Sequence, residues 1–366
     1  MSDLRLNPDY TPPTHGLPTA YTPPTQSVAL PDRLTEQVAD AIRASKRPNT
    51  LRAYKSDLAA FSDWCATHEQ SALPAAAETV AAYLADQAQR LKVNSLRRHL
   101  ATISKAHELA GYRHERNPAK SELVRDTVAG LRNTYGMEPE RAPALTAEQL
   151  KAITDAISTT QPAEYGRAER PDLVGLRDRA LLLVGWCAAL RRSELAQLTW
   201  GQVEWQPTGA VLHLRGSKTD KTGAGQVAPL AAEPGSAYCP VAALRAWQQA
   251  SEQRGYWRAG GGSWQSAVAD SQPVFRAVNR HGHLSGDGLS GHTVGLIVAQ
   301  RGETVGLHGL SGHSLRRGLV QAATLAGKSD SAIIQTTRWR NPGQIRAYQG
   351  DAGLLERAAS RGLLSR

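Results

Sequence analysis

Between residues 31 and 136, apolar side chains return at three- and four-residue steps through "RLTEQVADAIRAS", "NTLRAYKSDLAAFSDWC", "AETVAAYLADQAQRL", "VNSLRRHLATISKAHELAG" and "SELVRDTVAGLRNTYG". That period puts one apolar stripe on each helix, so 31–136 is expected to be a compact all-helical domain. Two prolines and several charges then interrupt the pattern, which makes 137–145 a linker. Thr146 and Gln149 stand at the spacing of a capping box, and a second domain is expected over 146–366. Its "LRDRALLLVGWCAALRRSELAQL" reads as one long apolar helix. In "AVLHLRG" the period drops to two, with Leu212 and Leu214 on one face, and a Gly/Lys-rich turn leads to "GQVAPL": a small hairpin or sheet. The remainder reads as helix, apart from Gly-rich interruptions near 259–263 and 281–291. The fold class is therefore mainly α with a small β-sheet.

The first thirty residues carry YTPPT twice and little that a core could bury, the composition of a disordered arm over 1–30. A chain of 366 residues is long enough for two domains. Its net charge of +10 and pI near 9.7 favour a polyanionic partner, of which nucleic acid is the commonest, although many basic proteins are charged only to stay soluble. No apolar run reaches the length of a membrane span, and the amino terminus lacks the pattern of a signal peptide. A cytoplasmic protein without membrane partners is expected. Cys65, Cys187 and Cys239 are odd in number and set in mostly apolar sequence, as reduced packing thiols are. No metal site is expected.

Candidate chemistry lies in four places. In "LRRSELAQL", Arg191 and Glu194 share a helix face at i, i+3, so the carboxylate can hold the guanidinium; a surface ion pair of little worth has the same spacing. In "SGHSLRRGLV", His313 and Arg316 point the same way. A guanidinium grips two phosphate oxygens and an imidazole gives or takes a proton, although an ordinary core or surface histidine fits the motif too. Lys218 in "GSKTDKTG" sits in the hairpin turn, from which a flexible cation reaches a cleft; such lysines are commonly just solvated, and Lys221 competes for the role. In "TRWRNPGQIRAYQGD", Trp339 is an indole donor and Tyr348 a phenol able to act as nucleophile, or both are packing aromatics.

Taken in order, R-x-x-E, a hairpin lysine, H-x-x-R, tryptophan and a late tyrosine, the chain resembles the tyrosine recombinases (phage integrases), most closely their Cre-like members, over nearly all of 31–366. The resemblance implies a two-domain architecture, a helical SAM-like core-binding domain and an α+β catalytic domain, forming a C-shaped clamp on DNA. It implies Arg191 and Arg316 as the catalytic arginines, Lys218 as the lysine, His313 as the histidine and Tyr348 as the nucleophile. Glu194 matches the acidic residue supporting the first arginine. Trp339 falls where most relatives carry histidine and Cre-like enzymes tryptophan.

The implied function is site-specific recombination through a 3′-phosphotyrosine, with no cofactor. Relaxation of the type IB topoisomerase kind, or DNA binding without catalysis on the same fold, are the alternatives. Lys92, Arg97 and Arg98 in "KVNSLRRHL" suit a DNA backbone or groove, or a solvated basic face. His292 and Thr293 open a helix placed like the family's base-reading helix. In relatives the helix after the nucleophile, here "GLLERAASRGLL", docks on a neighbouring subunit, which implies a homotetramer on two DNA sites, associated with the nucleoid.

Overall fold

A computed structural model describes residues 48–136, 142–162, 170–214, 225–254 and 270–339, with Gly343, Ile345 and Tyr348. The amino-terminal arm, the first periodic stretch, the lysine turn and the last helical stretch lie outside the described residues. The chain divides into two compact units, Met1–Pro139 and Glu140–Arg366. Among the described residues no helix is long and apolar enough to cross a membrane.

The first unit contains α1 (Pro48–Thr67), α2 (Ala77–Gln87), α3 (Val93–Leu109) and α4 (Glu122–Tyr135). Their apolar stripes meet in a core of Phe61, Tyr83, Leu84, Leu96, Ile103 and Val124. Helix α4 starts where the Ser121 hydroxyl accepts from the Val124 N–H and stops at Gly136, whose φ of 70° suits glycine. A buried carboxylate, Asp57, ties α1 to α3. It accepts from Arg98 Nε and Nη2 at 2.8 and 2.9 Å and lies 3.2 Å from His99 Nε2, while Tyr83 Oη stands 2.7 Å from His99 Nδ1. A charge removed from water persists only with partners of this kind.

In the second unit Thr146 and Gln149 make the expected reciprocal cap, at 3.0 and 3.2 Å, on α5 (Ala147–Asp155). A two-residue ladder follows, β1 (Thr160–Gln161) with β2 (Arg170–Pro171). Helix α6 (Leu173–Cys187) is apolar on nearly every side because it runs through the core, where Leu181, Leu182 and Val184 are fully buried.

The expected long helix is in fact two. Ala189 takes a left-handed φ of 47°, the chain is extended at Arg191, and α7 (Arg192–Gln197) begins afresh. No glycine or proline marks the break; the Ala188 and Ala189 carbonyls it frees are taken by Arg338 and Arg316, and Glu194 caps the new helix start.

The antiparallel sheet is β3 (Val203–Gln206), β4 (Gly209–Leu214) and β5 (Gln226–Ala231), in that order. Leu212 and Leu214 of β4 face the core and His213 between them faces solvent, the period of two at work. Helix α8 (Pro240–Arg254) packs on α6 and buries Trp247, whose indole donates to Val274 O at 2.7 Å. A short ladder pairs β6 (Arg276–Val278), where helix was expected, with β7 (Leu284–Gly288), inside the Gly-rich interruption expected near 281–291. Helices α9 (Gly291–Glu303), α10 (Gly312–Leu325) and α11 (Asp330–Thr337) complete the unit.

Gly318 lets the segment at Leu145 lie against α10. Leu145 N–H donates to Ser314 O at 3.0 Å, and Trp186 Nε1 donates to Leu145 O at 2.9 Å. A Cβ at 318 would collide with the Leu145 carbonyl and come within 2.7 Å of Trp186 Nε1. Gly318→Ala is expected to cost about 1–3 kcal/mol through this overpacking, read as a lowered thermal midpoint; an unchanged midpoint would show that the contact yields freely.

Candidate active site

The turn between α6 and α7 sets the first part of the site. With Ala189 in the left-handed region, Arg191 becomes the residue that precedes α7. Glu194, on the first turn of α7, accepts from the Arg191 backbone N–H at 2.9 Å and from Arg191 Nη1 at 2.5 Å. One carboxylate thus fixes both the main chain and the guanidinium of Arg191; the pair forms, but not on the shared helix face expected from spacing, because Arg191 is extended and precedes α7. Arg338 Nη2 donates to the same carboxylate at 2.9 Å. Burial pushes the Glu194 carboxyl pKa up, but the charge of Arg338 and the bonds from Arg191 outweigh it and hold the pKa below the usual glutamate value.

Helix α10 supplies the second part. Ser311 opens it, accepting from the His313 N–H at 3.2 Å while its own N–H donates to Ser314 Oγ at 3.0 Å. His313 and Arg316 follow on the same side. Arg316 is 1 % exposed; its Nη1 donates to Ala189 O at 2.7 Å and its Nη2 to Thr337 O. This guanidinium therefore links the Ala189 turn to the end of α11. Burial first, then the neighbouring cations Arg191 and Arg338, push its pKa down to about 9, which leaves it charged at neutral pH. Its Nε is buried without a partner among the described residues, a donor that an incoming acceptor would satisfy.

Beyond α11, Trp339 is 5 % exposed and joins a small cluster with Val320, Ile333 and Ile345. Its ring centroid stands 5.3 Å from Arg316 Cζ and 4.6 Å from the ring of Tyr348. Tyr348 Oη and His313 Nε2 are 2.8 Å apart. Burial, followed by the charges of Arg316, Arg191, Arg317 and Arg192, lowers the His313 pKa, so the imidazole is neutral at pH 7 and Nε2 is able to accept from the phenol. Among the described residues, three guanidiniums, Arg191, Arg316 and Arg338, surround the carboxylate of Glu194. The excess of positive charge suits an anion.

Arg191, Glu194, His313, Arg316, Trp339 and Tyr348, scattered over more than 150 residues of sequence, are thus brought together. Lys218 and Lys221 fall in the β4–β5 connection, outside the described residues. Lys92, Arg97 and Arg98 belong to the first unit, at the start of α3. Arg97 is exposed, Lys92 is exposed at the residue preceding the helix, and Arg98 is held in the bidentate pair with Asp57. His292 is exposed on the first turn of α9, and Thr293 shares a 2.8 Å contact with Ser290 Oγ. That turn adjoins α7, since a Cβ at Gly291 would lie 3.7 Å from Arg192 Cγ. Arg338 was not foreseen; nothing local in "TRWRN" distinguishes it from a surface arginine.

Residues 40–113 match the family described as phage integrase, N-terminal SAM-like domain. The integrase/recombinase xerD homolog of Selenomonas ruminantium is 31% identical over 320 residues, 87% of this chain and 86% of that protein. Tyrosine recombinase XerC of Xanthomonas campestris pv. campestris (strain B100) is 29% identical over 278 residues, 73% of this chain and 75% of its own. The solved structure of the Tn1549 transposon integrase in complex with transposon right end DNA has the same fold, with a TM-score of 0.55 at 13% identity over 89% of this chain and 97% of that one. Fold and sequence agree on an integrase-type protein. The chain belongs to the tyrosine recombinase family.

Proposed function

We propose that the chain is a site-specific DNA recombinase that cleaves and rejoins DNA through Tyr348 and exchanges strands between two short recognition sites. The observation that carries this reading is the 2.8 Å contact of Tyr348 Oη with His313 Nε2 beside the arginine cluster. A phosphodiester repels an incoming nucleophile, and its phosphorane-like transition state gathers more negative charge; Arg191 and Arg316 supply fixed positive charge against both effects. A phenol, with an ordinary pKa of about 10, needs a base close by. His313 takes the phenolic proton as Tyr348 Oη bonds to phosphorus and the bond from phosphorus to O5′ breaks. Lys218 protonates the departing oxygen. The products are a 3′-phosphotyrosyl link and a free 5′-hydroxyl. The link keeps the bond energy, so the 5′-hydroxyl of a partner duplex completes the exchange by the reverse attack.

Trp339 donates its indole N–H to a non-bridging oxygen but shuttles no proton, and its presence supports a place in the Cre-like subgroup. Lys92, just before α3, and Arg97 of α3 meet the DNA backbone, with Arg98 held beside them by Asp57, and His292 and Thr293 at the start of α9 face base edges. Assembly as a tetramer on two sites has support in an apolar cavity of about 480 Å³ along Trp186, Leu319, Ala322, Ala326 and Ile333. The amphipathic stretch 353–364 of a neighbouring subunit fits such a groove. Chains ending at residue 350 would then bind single sites without pairing them in sedimentation; paired sites would remove this element.

Two linear duplexes of unequal length, each carrying the recognition site, test the reaction. Joined products of new length are expected. Relaxation of a supercoiled plasmid in a parallel assay, without such products, would move the reading to topoisomerase chemistry, and neither result, with DNA bound, to a non-catalytic protein.

The pH dependence follows from His313. A base with a lowered pKa is neutral, and competent, at pH 7, and it loses competence as acid protonates it, below its ordinary value of 6.5. The rate of covalent-complex formation at saturating DNA is therefore expected to be level near neutrality and to fall on the acid side of that value. A rate that falls with acidification already above pH 7 would contradict the assignment of His313 as the base.

A further inference from the structure

We infer that Arg338 is a positioning residue for DNA cleavage: it fastens the end of α11, which leads into Trp339 and Tyr348, onto Glu194 and the turn that carries Arg191. The inference rests on the cleavage reading above and adds a residue to it.

The first observation is where Arg338 stands. It closes α11 with φ 58° and ψ 38°, the left-handed conformation in which a side chain crowds its own backbone and glycine is the ordinary choice. The chain instead keeps its longest cationic side chain there, 7 % exposed. Non-glycine residues persist in that region when surrounding contacts over-determine them, and they gather at functional sites.

The second observation is what the side chain holds. Nη1 donates to Thr336 O at 2.6 Å, which is local and would serve to cap the helix. The other contacts are distant in sequence. Nη1 also donates to Ala188 O at 2.9 Å, and Nη2 donates to Ala189 O at 3.2 Å and to Glu194 Oε2 at 2.9 Å. All three acceptors belong to the turn that presents Arg191 or to the carboxylate that grips it.

Consequences follow for both halves of the site. Glu194 carries Arg191 Nη1 on Oε1, and on Oε2 both the Arg191 N–H and Arg338. Without Arg338 the buried carboxylate keeps one cation only, and Arg191 loses the fixed partner geometry that aims it. Trp339 is the next residue in the chain, so the same loss frees the indole from its place between Arg316 and Tyr348. Ala189 O also accepts from Arg316 Nη1, so both guanidiniums close on one carbonyl. Among the described residues Arg338 makes no hydrogen bond with His313 or Tyr348; its action runs through Glu194 and Trp339.

The test uses the full chain with Arg338→Gly, which suits the left-handed backbone, and Arg338→Lys, which keeps a cation for Glu194. DNA affinity and the single-turnover rate of covalent-complex formation at saturating DNA are measured per folded molecule. Arg338→Gly is expected to bind DNA within about twofold of wild type yet to form the covalent complex about 10–100-fold more slowly. Arg338→Lys is expected to recover part of that loss. Adding Glu194→Gln to Arg338→Gly is expected to cost little more than the worse single change, because the two act through one contact.

A wild-type rate in Arg338→Gly would overturn the inference. So would a loss explained wholly by a smaller folded fraction, or losses that multiply in the double variant. A wild-type protein that forms no covalent complex would remove the cleavage reading itself, a result distinct from either.

Discussion

Tyr348→Phe is expected to abolish the covalent protein–DNA link, a loss of about 10⁴-fold or more in the rate of its formation. The substitution removes one oxygen and keeps the ring that packs 4.6 Å from Trp339, so the local cluster should stand. What disappears is the only atom on that side chain able to bond to phosphorus, along with its contact to His313 Nε2. DNA affinity should stay within about twofold, because the charges that attract the backbone are untouched. Denaturing electrophoresis of labelled DNA checks the first expectation and equilibrium binding the second. A covalent product retained by Tyr348→Phe would assign the nucleophile to another residue.

Arg316→Lys is the second large effect, about 10²–10³-fold in the cleavage rate. Truncation to alanine would be the blunter test, since it takes the guanidinium away from Thr337 O and leaves Ala189 O to Arg338 alone. Lysine keeps the charge and one donor but loses the planar fork that spans two carbonyls and offers Nε to a third acceptor. Stability is expected to fall by about 1–3 kcal/mol as one charged bond weakens, so the rate is compared at equal folded fraction. Equal rates for Arg316→Lys and wild type would mean that a point charge suffices and that the geometry of the guanidinium is incidental.

Local rules made much of this legible in the sequence. Helices α1 to α4 follow the apolar period, Ser121 and Gly136 bracket α4, and the Thr146–Gln149 cap stands as spacing requires. Strand β4 follows from the alternation around Leu212 and Leu214. The break before α7 did not, because its cause is not a residue that disfavours helix but a distant set of donors: Ala188 and Ala189 carbonyls are taken by Arg316 and Arg338, from chain about 130–150 residues away. Strands β3, β6 and β7 are three to five residues long, too short for a period of two to stand out. The site residues were legible as an ordered set, since each lies in a short motif. Arg338 lies in the last of these motifs with nothing local to mark it, and its role rests on one left-handed backbone position and on partners that only the folded chain brings near.

The central claim is that Tyr348 becomes covalently joined to DNA. The most direct measurement is to trap the complex of the wild-type chain with its site, digest protein and DNA, and locate the nucleotide adduct by mass spectrometry. The adduct is expected on the peptide carrying Tyr348, linked to the 3′ side of the break, with a free 5′-hydroxyl on the other strand end. An adduct on any other residue, or a 5′-linked adduct on Tyr348, would contradict it.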